Sequence, residues 1–522
     1  MEERPADADV PSPQAPAPVE SPETNAAAES QPALPKPRTR RPSRPRKSAT
    51  ESEETANDST EPVSKAPVSE SPPPEQTEDS PISEAPAAER TEEGDGSDSN
   101  AENQGEGNGE DAGGGARRHR NRKSRKERRK EQRAKERERE AAMLEAAPAL
   151  EMQGIIEISP KGFGFLRKRE RNYAQHPDDV FITPEVVRIH GLRDGLWVKC
   201  LSKQGVRGPQ LIEILEINGK KPEAYKNLPY FEELTAINPA KRLTLETKSD
   251  RYTTRVIDLM TPVGRGQRGL IVAPPRTGKT TLLHHIADAI LENYEDQMHL
   301  MVVLIDERPE EVTDFERSFP AADIYASSND SDVKNHTRMA QLAIERAKRL
   351  VEAGEHVFIL LDSITRLARA FNNATGGGKK RGTQSGGLAV GALEIPRRLF
   401  AAARNTREAG SLTIIATALI QTNSKMDEAI FQEFKGTGNM ELVLDRQLAQ
   451  NYVYPSIDIH RSGTRREELL LPGHMLEKIH VIRRGLAVGY KPIEAMEWLL
   501  KCMERYPSNA QMLMDIKLSA IA

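Results

Sequence analysis

Only two cysteines occur in 522 residues, Cys200 and Cys502, far apart and without metal-ligand spacing. That speaks against a disulfide framework and a cysteine-built zinc site. No apolar run approaches the roughly 20 residues that cross a bilayer, and no basic-then-apolar leader follows Met1. A cytoplasmic protein without a membrane partner is therefore expected. Aromatic residues make up 4% of the chain, and the first 116 residues contain no Phe, Tyr or Trp. Those residues hold 26 Asp/Glu against 10 Lys/Arg, and 18 of the 36 prolines. Such a segment cannot bury enough apolar surface to offset its ordering entropy, so residues 1–116 are expected to be a disordered acidic, Pro-rich tail. The net charge of -4 conceals a reversal, because residues 117–140 carry 14 Lys/Arg against 5 Glu. Two readings of the basic segment 117–150 stand side by side: a charged, solvent-exposed helix, or a non-specific ligand for RNA phosphates.

Ordinary globular texture begins near Gly154. Gly154 to Ile158 alternates as a strand does, Lys161 to Arg167 follows a turn, and Asp179 to Ile182 is a second short strand. With later strands at Trp197–Leu201 and Gln210–Leu215, residues 151–220 fit a five-stranded OB-fold. Phe163 and Phe165 fall on one face of their strand beside small glycines, with Phe181, Asp179 and Arg167 nearby. Aromatics on an exposed strand face next to cations stack bases of single-stranded nucleic acid; the plainer alternative is that the rings fill the barrel core. Residues 221–240, rich in turn formers, read as a linker.

From 241 to 522 the chain follows a βαβ rhythm, as in a RecA-like α/β domain. Leu270-Ile271-Val272 leads into Ala273-Pro274-Pro275-Arg276-Thr277-Gly278-Lys279-Thr280 and a helix containing Thr281, the pattern of a phosphate-binding loop. Its backbone N–H groups face phosphates, Lys279 reaches the outer ones, and the Thr280 hydroxyl suits Mg2+. Two further apolar runs end in carboxylates. Asp362, after Val357–Leu361, suits the second metal-supporting role, against the alternative of a helix N-cap. Glu307, after Leu300–Ile305, is placed to act as general base on water, with Arg308 as a γ-phosphate sensor; a surface ion pair is the alternative. Asn372 to Gly387 and Ser424 to Asn439 read as flexible loops, either plainly solvated or gripping a phosphate backbone.

The stretches Gly269–Pro275, Ile305–Val312, Leu361–Arg369, Glu433–Glu441 and Asp458–Leu470 together resemble the bacterial transcription termination factor Rho family. The resemblance covers roughly residues 154 to 510, and Ala273 in place of the usual first glycine of the phosphate loop is part of it. It implies a ring-shaped homohexamer with ATP between RecA-like domains, acting as an RNA translocase and RNA–DNA helicase on the RNA polymerase elongation complex. Under this resemblance Pro275, Arg276, Thr277, Gly278, Lys279, Thr280 and Thr281 bind ATP. Thr280 and Asp362 serve Mg2+, Glu307 activates water and Arg308 acts beside it. Tyr454 matches the aromatic that packs on adenine, Arg465 the finger donated across the subunit boundary, and Arg366 a contact near the nucleotide. The primary RNA site, for C-rich single strands, falls on Phe163, Phe165, Arg167, Asp179 and Phe181. The secondary site falls on Gly382, Thr383 and Gly386, and on Lys435, Gly436 and Thr437.

Two departures from the family pattern stand out. No helical subdomain is legible before the barrel, and Val206 to Gln210 lacks the acidic residue and aromatic that the family often offers to the RNA base. A rotary-type ATP synthase subunit shares the ATPase core but has no use for Phe163 to Arg167. An RNA-binding chaperone with a degenerate ATPase domain would not need Lys279, Glu307, Asp362 and Arg465 together.

Overall fold

The computed structural model describes residues 145–206, 208–376 and 385–515, with scattered positions between 127 and 143. The expectations for the tail 1–116 lie outside the described residues, as do Gly382 and Thr383. The described positions between 127 and 146 are helical and exposed.

Alternation of apolar and polar residues closes a small barrel from β1 (Leu150–Ile158), β2 (Gly164–Arg167), β3 (Val180–Ile182), β4 (Trp197–Gly205) and β5 (Gly208–Ile217). The strand order is β1-β2-β3-β5-β4. All pairs are antiparallel except β3 with β5, which meet in parallel at Phe181 and Gln210. Every second side chain points inward, so Ile156, Leu166, Val180, Ile182, Val198 and Cys200 form the core. The stretch read as a linker is packed down. Tyr225, Phe231 and Leu234 are buried, and Glu352 accepts from the Phe231 amide at 2.8 Å and from the Tyr225 hydroxyl at 3.3 Å. Arg193 of the barrel donates to the same carboxylate at 3.0 Å.

Three two-residue strands, β6 (Ala236–Ile237), β7 (Arg242–Leu243) and β8 (Val263–Gly264), lead into the larger domain. Its sheet is built from β9 (Arg268–Ala273), β10 (His299–Glu307), β11 (Asp323–Ser328), β12 (His356–Asp362), β13 (Arg404–Thr406), β14 (Ser411–Leu419), β15 (Met440–Val443) and β16 (Gly463–Thr464), with β6 added at one side through its pairing to β13. The main path runs β11-β10-β12-β14-β9-β15-β16; all its neighbours are parallel except β15 with β16. Central strands of a parallel sheet are covered on both faces, which explains the unbroken apolar runs at Leu300–Ile305 and Val357–Leu361. Two apolar clusters lie on the two faces, one under the phosphate-loop helix Lys279–Tyr294 and one under the long helix Val333–Glu352. Three terminal helices, Gly473–Gly489, Pro492–Glu504 and Asn509–Asp515, complete the first cluster through Ile479, Ile482, Leu499, Met503 and Met512.

The reading of Ser424 to Asn439 as a flexible loop is corrected. Lys425–Lys435 is a helix whose Ser424 hydroxyl caps the Asp427 amide at 3.4 Å. Ile430 and Phe434, four residues apart, are fully buried on one face. Asn372 likewise belongs to the helix Ile364–Gly376, not to a loop. Among the described residues no helix is long and apolar enough to cross a membrane.

Candidate nucleotide and RNA sites

The phosphate loop leaves β9 at Ala273 and turns through Arg276 (φ 64) and Gly278 (φ 77). Both lie in the left-handed region, which glycine adopts at no steric cost. Inside the turn, the buried Thr277 hydroxyl donates to the Pro274 carbonyl at 2.8 Å, and Ser456 donates to the Thr277 carbonyl at 2.6 Å. Pro275, Arg276, Gly278 and Thr281 are exposed. Helix formation then begins at Lys279, so the free N–H groups of its first turn face the loop mouth.

Three parallel strand ends bring the charged residues together, as expected for a ligand site beyond the carboxyl ends of such a sheet. Lys279 Nζ lies 2.6 Å from Asp362 Oδ1 and 3.4 Å from Glu307 Oε1. Thr417 donates to the same Asp362 oxygen at 2.6 Å, and Arg366 Nη2 sits 3.2 Å from Glu307 Oε2. The register of β10 shifts at Asp306, which takes a left-handed φ of 58°, and this irregularity turns Glu307 inward to 2% exposure. Burial alone pulls the Lys279 ammonium down, but the Asp362 and Glu307 carboxylates outweigh it and hold the group above its ordinary value. Burial, and then the charge of Asp362, push the Glu307 carboxyl up despite Lys279 and Arg366. The two directions are compatible because Lys279 is held mainly by Asp362, so its charge offsets the burial of Glu307 only in part and leaves that carboxylate a good proton acceptor.

Beside the loop, a cavity of about 400 Å3 is lined by Arg251, Tyr252, Thr281, His285 and Tyr454. Tyr454 is 50% exposed, its ring 3.5 Å from where a Cβ on Gly278 would stand. A flat apolar wall beside a phosphate loop suits a nucleobase. Thr280 Oγ1 points toward Glu311 Oε2 at 3.5 Å, and the exposed Arg308 pairs with Glu311 at 3.4 Å. Arg465 is not part of this cluster. Its amide donates to Asn439 O, and the Asn439 amide donates to Arg268 O at the start of β9, both at 2.9 Å. It is therefore exposed at the opposite end of the strands from the phosphate loop.

On the barrel, Phe163, Phe165 and Phe181 form a triangle with every centroid separation 5.7 Å. All three are half-buried and none belongs to the barrel core. The Arg167 guanidinium lies 4.9 Å from the Phe165 ring centroid. Arg167 and Asp179 are themselves buried, paired with each other, and Glu157 bonds Arg167 Nε at 2.5 Å. Glu157, which no motif marks in the sequence, joins this face through its pairing opposite Phe165 and its bond to Arg167.

Of the two stretches expected to form one RNA-gripping site, the described residues Gly386 and Lys435–Thr437 lie apart within one chain. Gly386 packs against the Lys425 carbonyl, 2.9 Å from its ideal Cβ. Lys435, Gly436 and Thr437 are at the far end of the helix Lys425–Lys435, about 15 Å away at 1.5 Å per residue. There Lys435 pairs with Glu441 at 3.4 Å, and Thr437 O accepts from Arg268 Nε at 3.1 Å. Beside Gly386 stands Lys425, and in the short segment leading to Lys425, Gln421 (φ 54) and Asn423 (φ 60) are both left-handed. The sequence signal for Lys425 was its place just after a buried strand, at the edge where ligands bind.

Residues 253–464 match the family model of the ATP synthase alpha/beta family, nucleotide-binding domain, and residues 152–223 match that of the Rho termination factor, RNA-binding domain. The chain is 44% identical over 380 residues to the transcription termination factor Rho of Rhodopirellula baltica, covering 72% of this chain and 73% of that protein. With the Aquifex aeolicus protein of the same name the identity is 44% over 378 residues, covering 71% and 86%. With that of Escherichia coli it is 47% over 362 residues, covering 68% and 85%. At these identities and coverages, the chain belongs to the transcription termination factor Rho family.

Proposed function

We propose that this chain is an ATP-driven translocase on single-stranded, C-rich RNA and an RNA–DNA helicase that terminates transcription, working as a homohexameric ring on the RNA polymerase elongation complex. One observation carries the reading: a phosphate loop with its strand-end carboxylates shares a chain with an outward triangle of phenylalanines on a five-stranded barrel. The barrel is read as an OB-fold, since its strand order and its single parallel β3–β5 closure are those expected of one. Phe163, Phe165 and Phe181 stack bases, with Arg167 and Asp179 fixing the rings from below. Gly386 with its neighbours Gly382 and Thr383, and Lys425, grip RNA inside the ring; the sequence-derived Lys435–Thr437 stretch, paired and backbone-bonded, is better suited to shaping the subunit boundary near Arg465.

At the nucleotide site, Lys279 neutralises the outer phosphates, the base packs on Tyr454, and Glu307 takes a proton from the attacking water. Arg308 and Arg366 hold charge around Glu307. The oxygen donors Thr280 and Asp362 fit Mg2+, which takes few protein ligands and keeps several waters; when bound it would neutralise charge on the phosphates. Arg465, remote from its own loop, is read as the finger for the neighbouring subunit. Ionised Glu307 is the base and its pKa is raised, so turnover should be full above that raised value and fall as pH drops through it. The acid limb should therefore lie above the ordinary glutamate value of 4.5. A pH–rate profile checks this, and Glu307→Gln should lose turnover by about a hundredfold or more together with the limb. A limb that persists in the variant would assign it elsewhere.

The test of the whole reading is ATP hydrolysis with and without poly(C) RNA. Strong stimulation is expected. Hydrolysis indifferent to RNA would remove the translocase reading in favour of the rotary alternative, and no hydrolysis at any RNA level would favour the chaperone.

A further inference from the structure

We propose that Arg338, on the ATPase domain, is a positioning residue of the barrel's RNA face, holding Arg167 beneath Phe165 through the shared carboxylate of Glu157. This rests on the reading of that face as an RNA site and assigns it a part from outside the barrel.

Arg338 grips Glu157 with two nitrogens, Nε to Oε1 at 2.6 Å and Nη2 to Oε2 at 3.0 Å. The same Oε2 accepts from Arg167 Nε at 2.5 Å. Arg167 is bound on its other side by Asp179 and lies under the Phe165 ring. The four side chains thus alternate in charge, Arg338–Glu157–Arg167–Asp179, and end at the stacking rings. Bidentate arginine–carboxylate pairs fix orientation as well as charge. Glu157 is held ionised against its burial by the two arginines.

Three of the four members come from the barrel, and the fourth is 181 residues further along. Arg338 also donates to the Tyr173 carbonyl at 2.7 Å, so it clasps the segment between β2 and β3 that carries Asp179 at its end. The seam is reinforced by the Tyr173 ring stacked on Tyr325 at 4.8 Å and by Asn172 donating to the Ala326 carbonyl at 2.7 Å. Arg338 therefore belongs to a packed boundary, and its guanidinium reaches the RNA face only through Glu157. Without it, Glu157 Oε1 loses its partner and the carboxylate is free to rotate away from Arg167. The cation under Phe165 then has one anchor instead of two.

The test uses the full chain and a short oligocytidine, with Arg338→Gln, Glu157→Gln and the double variant, measuring Kd by fluorescence anisotropy. Each single change is expected to raise Kd about tenfold, and the double no further than the weaker single. The RNA concentration giving half-maximal ATPase stimulation should rise in parallel, with a smaller change in the maximal rate. Arg338→Lys, which keeps the charge but not the fork, should fall between wild type and Arg338→Gln. An unchanged Kd in Arg338→Gln, a double variant equal to the product of the singles, or a lowered maximal rate at unchanged Kd would each overturn the proposal. If the unsubstituted chain fails to bind oligocytidine, the RNA reading itself falls.

Discussion

Lys279→Ala should abolish ATP turnover, by about a thousandfold or more, while oligocytidine affinity at the barrel stays within about twofold. Lys279 is the cation of the phosphate loop and lies 2.6 Å from Asp362 and 3.4 Å from Glu307. Its loss removes charge where the transferred phosphoryl group builds it, and leaves two buried carboxylates facing each other. Removing one partner of a buried pair costs about 3–5 kcal/mol, so the melting temperature should fall as well. The Phe163, Phe165 and Phe181 triangle belongs to the barrel, and its charge relay runs through Arg338, not Lys279. Retained oligocytidine binding therefore reports an intact chain. Simultaneous loss of RNA binding would show that the two sites are not separable.

The second large effect is expected from Arg465→Ala, a fall of about a thousandfold in stimulated turnover. Arg465 is level with the start of β9 through Asn439, whereas the phosphate loop follows its end. The five steps of about 3.3 Å along this six-residue strand separate its two ends by about 17 Å, beyond the reach of an arginine side chain. Action on its own nucleotide is thereby disfavoured, which motivates the proposal of action in trans. Mixing makes the distinction: Arg465→Ala subunits keep a sound phosphate loop, and Lys279→Ala subunits keep a sound Arg465. Assembled together they should recover turnover at interfaces that combine the two sound parts. No recovery above the separate variants would count against donation across the boundary.

Much of the nucleotide site was legible without coordinates. The phosphate loop is contiguous, and the apolar runs that end in Glu307 and Asp362 are local signals of buried parallel strands. Gly162 to Phe165 with Asp179 to Phe181 likewise marked two neighbouring strands of one barrel. In Ser424 to Asn439, Gly436 and Gly438 signal a turn, but the helical spacing of Ile430 and Phe434 is the stronger signal. The terminal helices from Gly473 onward are not legible from local pattern alone, since their apolar residues acquire meaning only from the cluster they cover.

By itself, the sequence determined the chemistry each segment can perform: a loop for phosphates, carboxylates at strand ends and rings for stacking. These follow from short-range order, from the periods of strand and helix and from the steric needs of a tight turn. Only the tertiary structure decided which groups share a site. It placed Lys425, not Lys435, beside Gly386; it set Arg465 away from the phosphate loop of its own chain; and it brought Arg338 across 181 residues to Glu157. Such pairings depend on how sheets, helices and domain boundaries pack over long separations, and no local pattern encodes them.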